Sequence, residues 1–179
     1  RLGSGRIKGA LKAAWAGDIR VEGEFNLEGV RLQQLIATYT REFSASGLFT
    51  ANGSFALRGK TLGTLFDAAE TEATFTVDTG ELNNIDMVRA IQAPSASGTR
   101  GGKTKFDTLT GTLNFNGSRY NYRKLQLVSG PLNATGAISI GSDSALSGRI
   151  NAELGSKGLV VARGGLNVVG AVRDPVLRP

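Results

Sequence analysis

One unit recurs throughout this chain: an apolar residue, a spacer, glycine, a spacer and another apolar residue. It stands at Ile7-Gly9-Leu11, Val21-Gly23-Phe25, Ala51-Gly53-Phe55, Leu109-Gly111-Leu113, Ala134-Gly136-Ile138, Leu146-Gly148-Ile150 and Val168-Gly170-Val172. A spacing of two is strand periodicity, because successive side chains of a strand point to opposite faces. The glycines then fall on the apolar face. Glycine inside a strand weakens it and marks a bend or a close approach. Sheets use such positions to curve, with a large neighbour covering the bare backbone. The pattern predicts a curved sheet with a concave, apolar inner face.

Two hairpins give the register. Leu132 to Ile140 and Leu146 to Leu154, joined by Gly141-Ser142-Asp143-Ser144, place Leu132 opposite Leu154, Gly136 opposite Ile150, Ile138 opposite Gly148 and Ile140 opposite Leu146. Near the start, a turn at Ala16-Gly17-Asp18 places Trp15 opposite Ile19, Leu11 opposite Gly23, Gly9 opposite Phe25 and Ile7 opposite Leu27. The outer face of this hairpin then pairs Lys12 with Glu22 and Arg6 with Glu28. The agreement in sign supports the register, although exposed cross-strand pairs add only about 0.2–1 kcal/mol each.

Helical spacing of Leu32, Leu35, Ile36, Tyr39 and Phe43 predicts an amphipathic helix over Val30 to Glu42 that lies on the sheet. A second short helix is expected over Thr61 to Ala69, and a third over Ile85 to Gln92 with Asn84 as its cap. Further strands are expected at Leu48 to Leu57, around Ala73 to Val77, and at Phe106 to Phe115 and Tyr120 to Val128. In the last of these the apolar parity changes, which requires a bulge at Arg123-Lys124. Gly165 to Val172 reads as the final strand, and Pro175 to Pro179 as an extended tail. The expected fold is mainly β with short α-helices: a curved, largely antiparallel, open-barrel-like sheet whose apolar interior is partly capped by helices. The organisation is a strand-and-helix half over residues 1–92, a flexible linker or loop over 93–104, and an antiparallel meander of the same domain over 105–179.

Composition narrows the chemistry. With 179 residues and 40% apolar content the chain can bury a substantial core. It has no cysteine and no histidine, which excludes disulfide frameworks, Cys/His zinc sites and the commonest general base. Glu22 and Glu24, or Asp78 and Glu81, could be imagined as acid and base, but solvated strand and turn positions explain them better. No catalytic residue, metal site or cofactor is expected. Gly3-Ser4-Gly5 and Gly101-Gly102-Lys103 lack the spacing of a phosphate loop. The net charge of +6 permits weak attraction to anionic partners. The group Arg119, Tyr120, Tyr122, Arg123 and Lys124 could stack bases, touch a lipid headgroup at a groove edge, or form a basic hairpin face, and the hairpin is favoured over nucleic acid. The apolar rows are either a closed core or the wall of an acyl-chain groove. The available helices favour the closed core. No apolar run approaches a membrane span of roughly 20 residues. The opening Arg1-Leu2-Gly3 reads as a segment of something longer.

Leu82-Asn83-Asn84-Ile85-Asp86-Met87-Val88, Phe106 to Phe115, Asn116-Gly117, Leu125-Gln126-Leu127, the Leu132 to Leu154 hairpin and Leu166-Asn167-Val168-Val169-Gly170-Ala171-Val172-Arg173-Asp174-Pro175 together resemble the C-terminal region of AsmA family proteins. The resemblance covers about Phe49 to Pro179 well and Arg1 to Leu48 loosely. It implies a periplasmic segment of a Gram-negative envelope protein, anchored in the inner membrane by a helix outside this segment. It also implies a taco-like sheet with an apolar interior and a role in outer-membrane biogenesis, passing phospholipid or another envelope lipid. Envelope assembly proteins form a second class of expected partner. The expected lipid wall is Phe25, Phe49, Phe55, Phe75, Leu113, Phe115, Ile138 and Ile150, with Arg119, Arg123 and Lys124 as basic residues at the groove edge.

Overall fold

In the computed structural model, which describes residues 5–179, a single ten-stranded sheet carries its strands in chain order. They are β1 (Arg6–Ala16), β2 (Asp18–Arg31), β3 (Ala45–Gly59), β4 (Glu70–Asn83), β5 (Lys103–Phe115), β6 (Tyr120–Ser129), β7 (Leu132–Ile140), β8 (Leu146–Ser156), β9 (Leu159–Ala171) and β10 (Asp174–Arg178). Every neighbouring pair is antiparallel. The sheet is open and curled, with two short helices: α1 (Leu32–Tyr39) follows β2, and α2 (Met87–Gln92) follows β4. Gly3 and Ser4 of the first glycine-rich fragment lie outside the described residues.

Both hairpin registers are those expected. Trp15 faces Ile19 and Gly9 faces Phe25 across β1 and β2, and Gly136 faces Ile150 across β7 and β8. The bulge in β6 falls at Arg123-Lys124: the pairing with β7 skips from Tyr122 to Leu125, and Lys124 takes a left-handed φ of 50°. The extra residue restores Leu125 and Leu127 to the apolar face.

The helices depart from expectation. β2 continues to Arg31, because a bulge after Leu27, with Gly29 at φ 60°, lets Val30 pair with Phe49 and become fully buried. The first helix is thus only Leu32–Tyr39, and Phe43 lies beyond it. Over Thr61 to Ala69 only one 3-10 turn forms, at Leu62–Thr64, held by the Thr61 N–H donating to Thr64 Oγ1 at 3.3 Å. So short a segment cannot repay helix nucleation without broad packing, and it buries Leu65 while leaving Leu62 and Phe66 exposed. Before α2, Asn84 has a φ of 62° and is not the cap; Asp86 is, its Oδ1 accepting from the Arg89 N–H at 2.9 Å.

The chain's end also differs. Pro175 to Arg178 is not a loose tail: Asp174–Arg178 forms β10, with Val176 and Leu177 buried. The stretch 93–104 is a loop as far as Gly102, and Lys103-Thr104 already belong to β5. Thr99 fastens this loop to β10, its N–H donating to the Leu177 oxygen at 2.7 Å and its own oxygen accepting from the Leu177 N–H at 3.0 Å. Leu177 thus turns its polar backbone outward, away from β9. Pro175, two residues earlier, faces the same way, where its missing N–H costs the β9 ladder nothing.

The core sits at the C-terminal half. Met87, Ala90 and Ile91 of α2 pack with Val77, Phe106, Leu127, Leu132, Ala134, Ile150, Ala152, Leu166, Val168 and Leu177 on one face of β4 to β10. Thr104, buried in β5, ties the helix start to the sheet: its Oγ1 accepts from the Met87 N–H at 3.1 Å and donates to the Ile85 oxygen at 2.7 Å.

Candidate functional site

The register places Phe25, Phe49, Phe55, Phe75, Leu113, Phe115, Ile138 and Ile150 on one face of the sheet, the face that α2 covers farther along. Seven of them remain half-buried. Ile150 differs: at 5% exposure it lies inside the core with α2 and does not belong to an open wall. What results is one apolar face, covered by α2 where the core lies and half-exposed at Phe25, Phe55, Leu113 and Phe115.

Aromatic rings pave its floor. The ring of Phe25 covers Gly53 and that of Phe55 covers Gly23, where added methyls would meet the rings at 2.7 and 2.6 Å. Phe75 reaches over Gly111 and lies 6.0 Å from Phe49. These are the large neighbours that shield bare glycine backbone in a bent sheet. Glycine opposite a ring serves the curl and the apolar surface at once.

Tyr120 and Tyr122, which the sequence groups with basic residues, join the apolar face instead. Tyr122 meets Phe75 edge-on at 6.2 Å, and Tyr120 stacks on Phe115 at 4.5 Å. The Tyr122 phenol is pushed up to about 12, first by burial and then by neighbouring Tyr120. A shift of parity at the bulge was the signal for this: before Arg123 the inward residues are the tyrosines, after it the leucines.

The basic residues scatter. Arg119 is exposed in the turn between β5 and β6, and Lys124 is exposed at the bulge. Arg123 pairs with Thr112 on the opposite, polar face, so it does not border the apolar one. Two shallow concavities, of ≈ 530 and ≈ 900 Å³, share Glu24, Ser54, Glu72 and Asn114 as lining, all on that polar face. Leu113 also lines the first, and Leu11, Phe55 and Phe115 line the second.

No family model, curated protein or solved structure matches this chain. Among the described residues, no group of acidic side chains is arranged to hold a metal ion, and no helix is long and apolar enough to cross a membrane. Glu22 and Glu24 are exposed on the polar face, and Glu81 is engaged by Lys103 at 3.0 Å.

Proposed function

We propose that this chain is a non-enzymatic, lipid-contacting segment of an AsmA-like envelope protein, located in the periplasm of a Gram-negative bacterium and contributing to outer-membrane biogenesis. The observation that carries the reading is the half-covered face: α2 covers its C-terminal half, whereas Phe25, Phe55, Phe75, Leu113 and Phe115 stay half-exposed as one apolar strip. A contiguous apolar surface of this kind marks a site of contact with protein, membrane or ligand.

An acyl chain laid on that strip recovers about 0.8 kcal/mol per methylene removed from water. A bilayer offers the same chain nearly the same burial, so lipid moves between the two with little net gain. Such balance suits passage along a surface better than storage in a pocket. No bond in the lipid is made or broken. Inner-membrane anchoring belongs, in this reading, to parts of the protein beyond this segment.

Lipid extraction and native mass spectrometry of the purified protein test the proposal. Co-purifying phospholipid is expected, with crosslinks to lipid from a photoreactive residue at Phe115 or Ile138. A folded protein that yields neither would favour the rival reading, a structural or protein-interaction module regulating outer-membrane protein assembly. The packed core beneath α2 is what favours that rival.

A further inference from the structure

Adjacent antiparallel strands can turn through as few as two residues. At the end of the sheet where β3 passes into β4 the chain takes ten, Lys60 to Ala69, whereas the other four connections there take one to five. The inner side of this long loop is seated on the sheet. Leu65 and Ala69 are buried. Gly59 lies so close beneath the loop that an added methyl would meet the Leu65 backbone at 2.9 Å, and one on Gly117, in the turn between β5 and β6, would meet the Asp67 oxygen at 2.7 Å. The outer side carries Leu62 and Phe66, four residues apart and 68 and 71% exposed.

We propose that this loop docks on a bilayer surface containing anionic phospholipid, with Leu62 and Phe66 entering the boundary between headgroups and acyl chains. Two observations besides the exposed pair point to that partner. The first is the loop's backbone, which is turned in on itself. The N–H groups of Thr64, Leu65, Asp67 and Ala69 donate to the oxygens of Thr61, Leu62, Thr64 and Phe66 at 3.2–3.5 Å, and the Thr61 N–H donates to Thr64 Oγ1 at 3.3 Å. An apolar medium offers backbone groups no partner of its own, so a segment that enters it has to satisfy them internally.

The second is charge. Arg20 and Arg58 stand directly opposite each other on β2 and β3, an arrangement of like charges that costs stability. Lys60 follows at the base of the loop, and Arg119 lies in the neighbouring turn. All four are exposed, and among the described ion pairs none engages them. The loop's acid, Asp67, and Glu70 after it leave these cations in excess. An anionic headgroup layer relieves the repulsion while the apolar pair sinks below it. A second copy of the chain is a poorer occupant, because loop against loop brings Arg58, Lys60 and Arg119 of both copies together. Docking is independent of lipid carriage along the apolar face, and either can hold without the other.

The chain has no cysteine, so Leu62→Cys carrying a polarity-sensitive dye reports the loop alone. Lys157→Cys, in the turn between β8 and β9 at the opposite end of the sheet, is the control. The probes are vesicles of phosphatidylcholine with and without phosphatidylglycerol. With the anionic vesicles the dye at 62 should shift to the blue and be quenched by brominated acyl chains, while the dye at 157 stays in water. Phe66→Glu, an exposed change whose folding circular dichroism checks, should weaken flotation with these vesicles by about tenfold or more. Arg58→Glu with Lys60→Glu should remove the preference for them, as should added salt. A folded protein that does not float, or floats with the dye at 62 still in water, overturns the proposal. Equal binding to both vesicles overturns the assignment of an anionic surface. A dye at 62 already shielded without vesicles, in a protein that sediments as a dimer, names a second copy instead.

Discussion

Phe25 and Gly53 stand directly opposite each other on β2 and β3, and the ring leans so far over the glycine that a methyl there would lie 2.7 Å from Cζ. Gly23 and Phe55 repeat the arrangement with the strands exchanged. A bulky residue on each strand fills the space its neighbour's glycine vacates, so the curl and the apolar floor depend on the same pairs.

Gly53→Ala should therefore destabilise the fold by about 1–3 kcal/mol, the usual cost of forcing an extra carbon into packed surroundings. The strand preference of alanine over glycine, about 0.5–1 kcal/mol, is too small to offset it. At Gly9 a methyl would meet only the Glu24 oxygen, at 3.1 Å, so Gly9→Ala should be near neutral. A methyl at Gly53 would also crowd the Glu72 oxygen and Ala73 Cβ, so urea midpoints of the two variants check the contrast, and equal midpoints would show that this packing as a whole does not constrain Gly53.

Asp86 caps the helix that closes the core. Asp86→Ala removes the acceptor for the Arg89 N–H and should cost about 0.5–2 kcal/mol, with Asp86→Asn recovering most of it. Ile91→Ala, on the buried side of the same helix, should cost about 2–5 kcal/mol. Thermal unfolding followed by circular dichroism ranks the three.

Leu177→Ala should likewise cost about 2–5 kcal/mol, because β10 completes the core. A loose tail would make the substitution silent. Arg100→Ala breaks the exposed ion pair with Asp174 in the same region and should cost less than about 1 kcal/mol. Chemical denaturation of both variants separates burial from charge as the force holding the C-terminus.

Tyr122 makes stability depend on alkaline pH. Its phenol titrates at about 12 in the folded protein against an ordinary 10.0. Through that window the unfolded chain has released the proton while the folded one still holds it. The unfolded state then binds fewer protons, and stability falls as pH rises. Wild type should lose more stability than Tyr122→Phe as pH rises from about 10 to about 12, the span between the unfolded and folded values. Parallel losses in the two proteins would count against a shifted phenol.

Much of the fold was legible because strand pairing is nearly local. Period-two alternation assigned Leu132 and Ile150 to faces, and a short turn left one register that kept both apolar rows together. The bulge at Arg123-Lys124 could be read for the same reason, as a slip in parity. Helix limits were not legible: Val30 belongs to β2 because Phe49 is there to pair with it, and Asp86 caps α2 because Asn84 is turned left-handed before it. Candidate site residues were only half legible. Phe25 and Ile150 carry the same pattern in the sequence, yet one is half-exposed and the other is buried.

By itself, then, the sequence determined which side chains share a face, which strands form the two hairpins and where β6 must bulge. Those properties follow from alternation, turn length and the missing side chain of glycine. Only the tertiary structure decided which stretch of that face is covered, and that Thr99 is fastened to β10. Burial depends on what arrives from elsewhere in the chain, and a strand's own pattern cannot say whether a helix such as α2 will lie upon it.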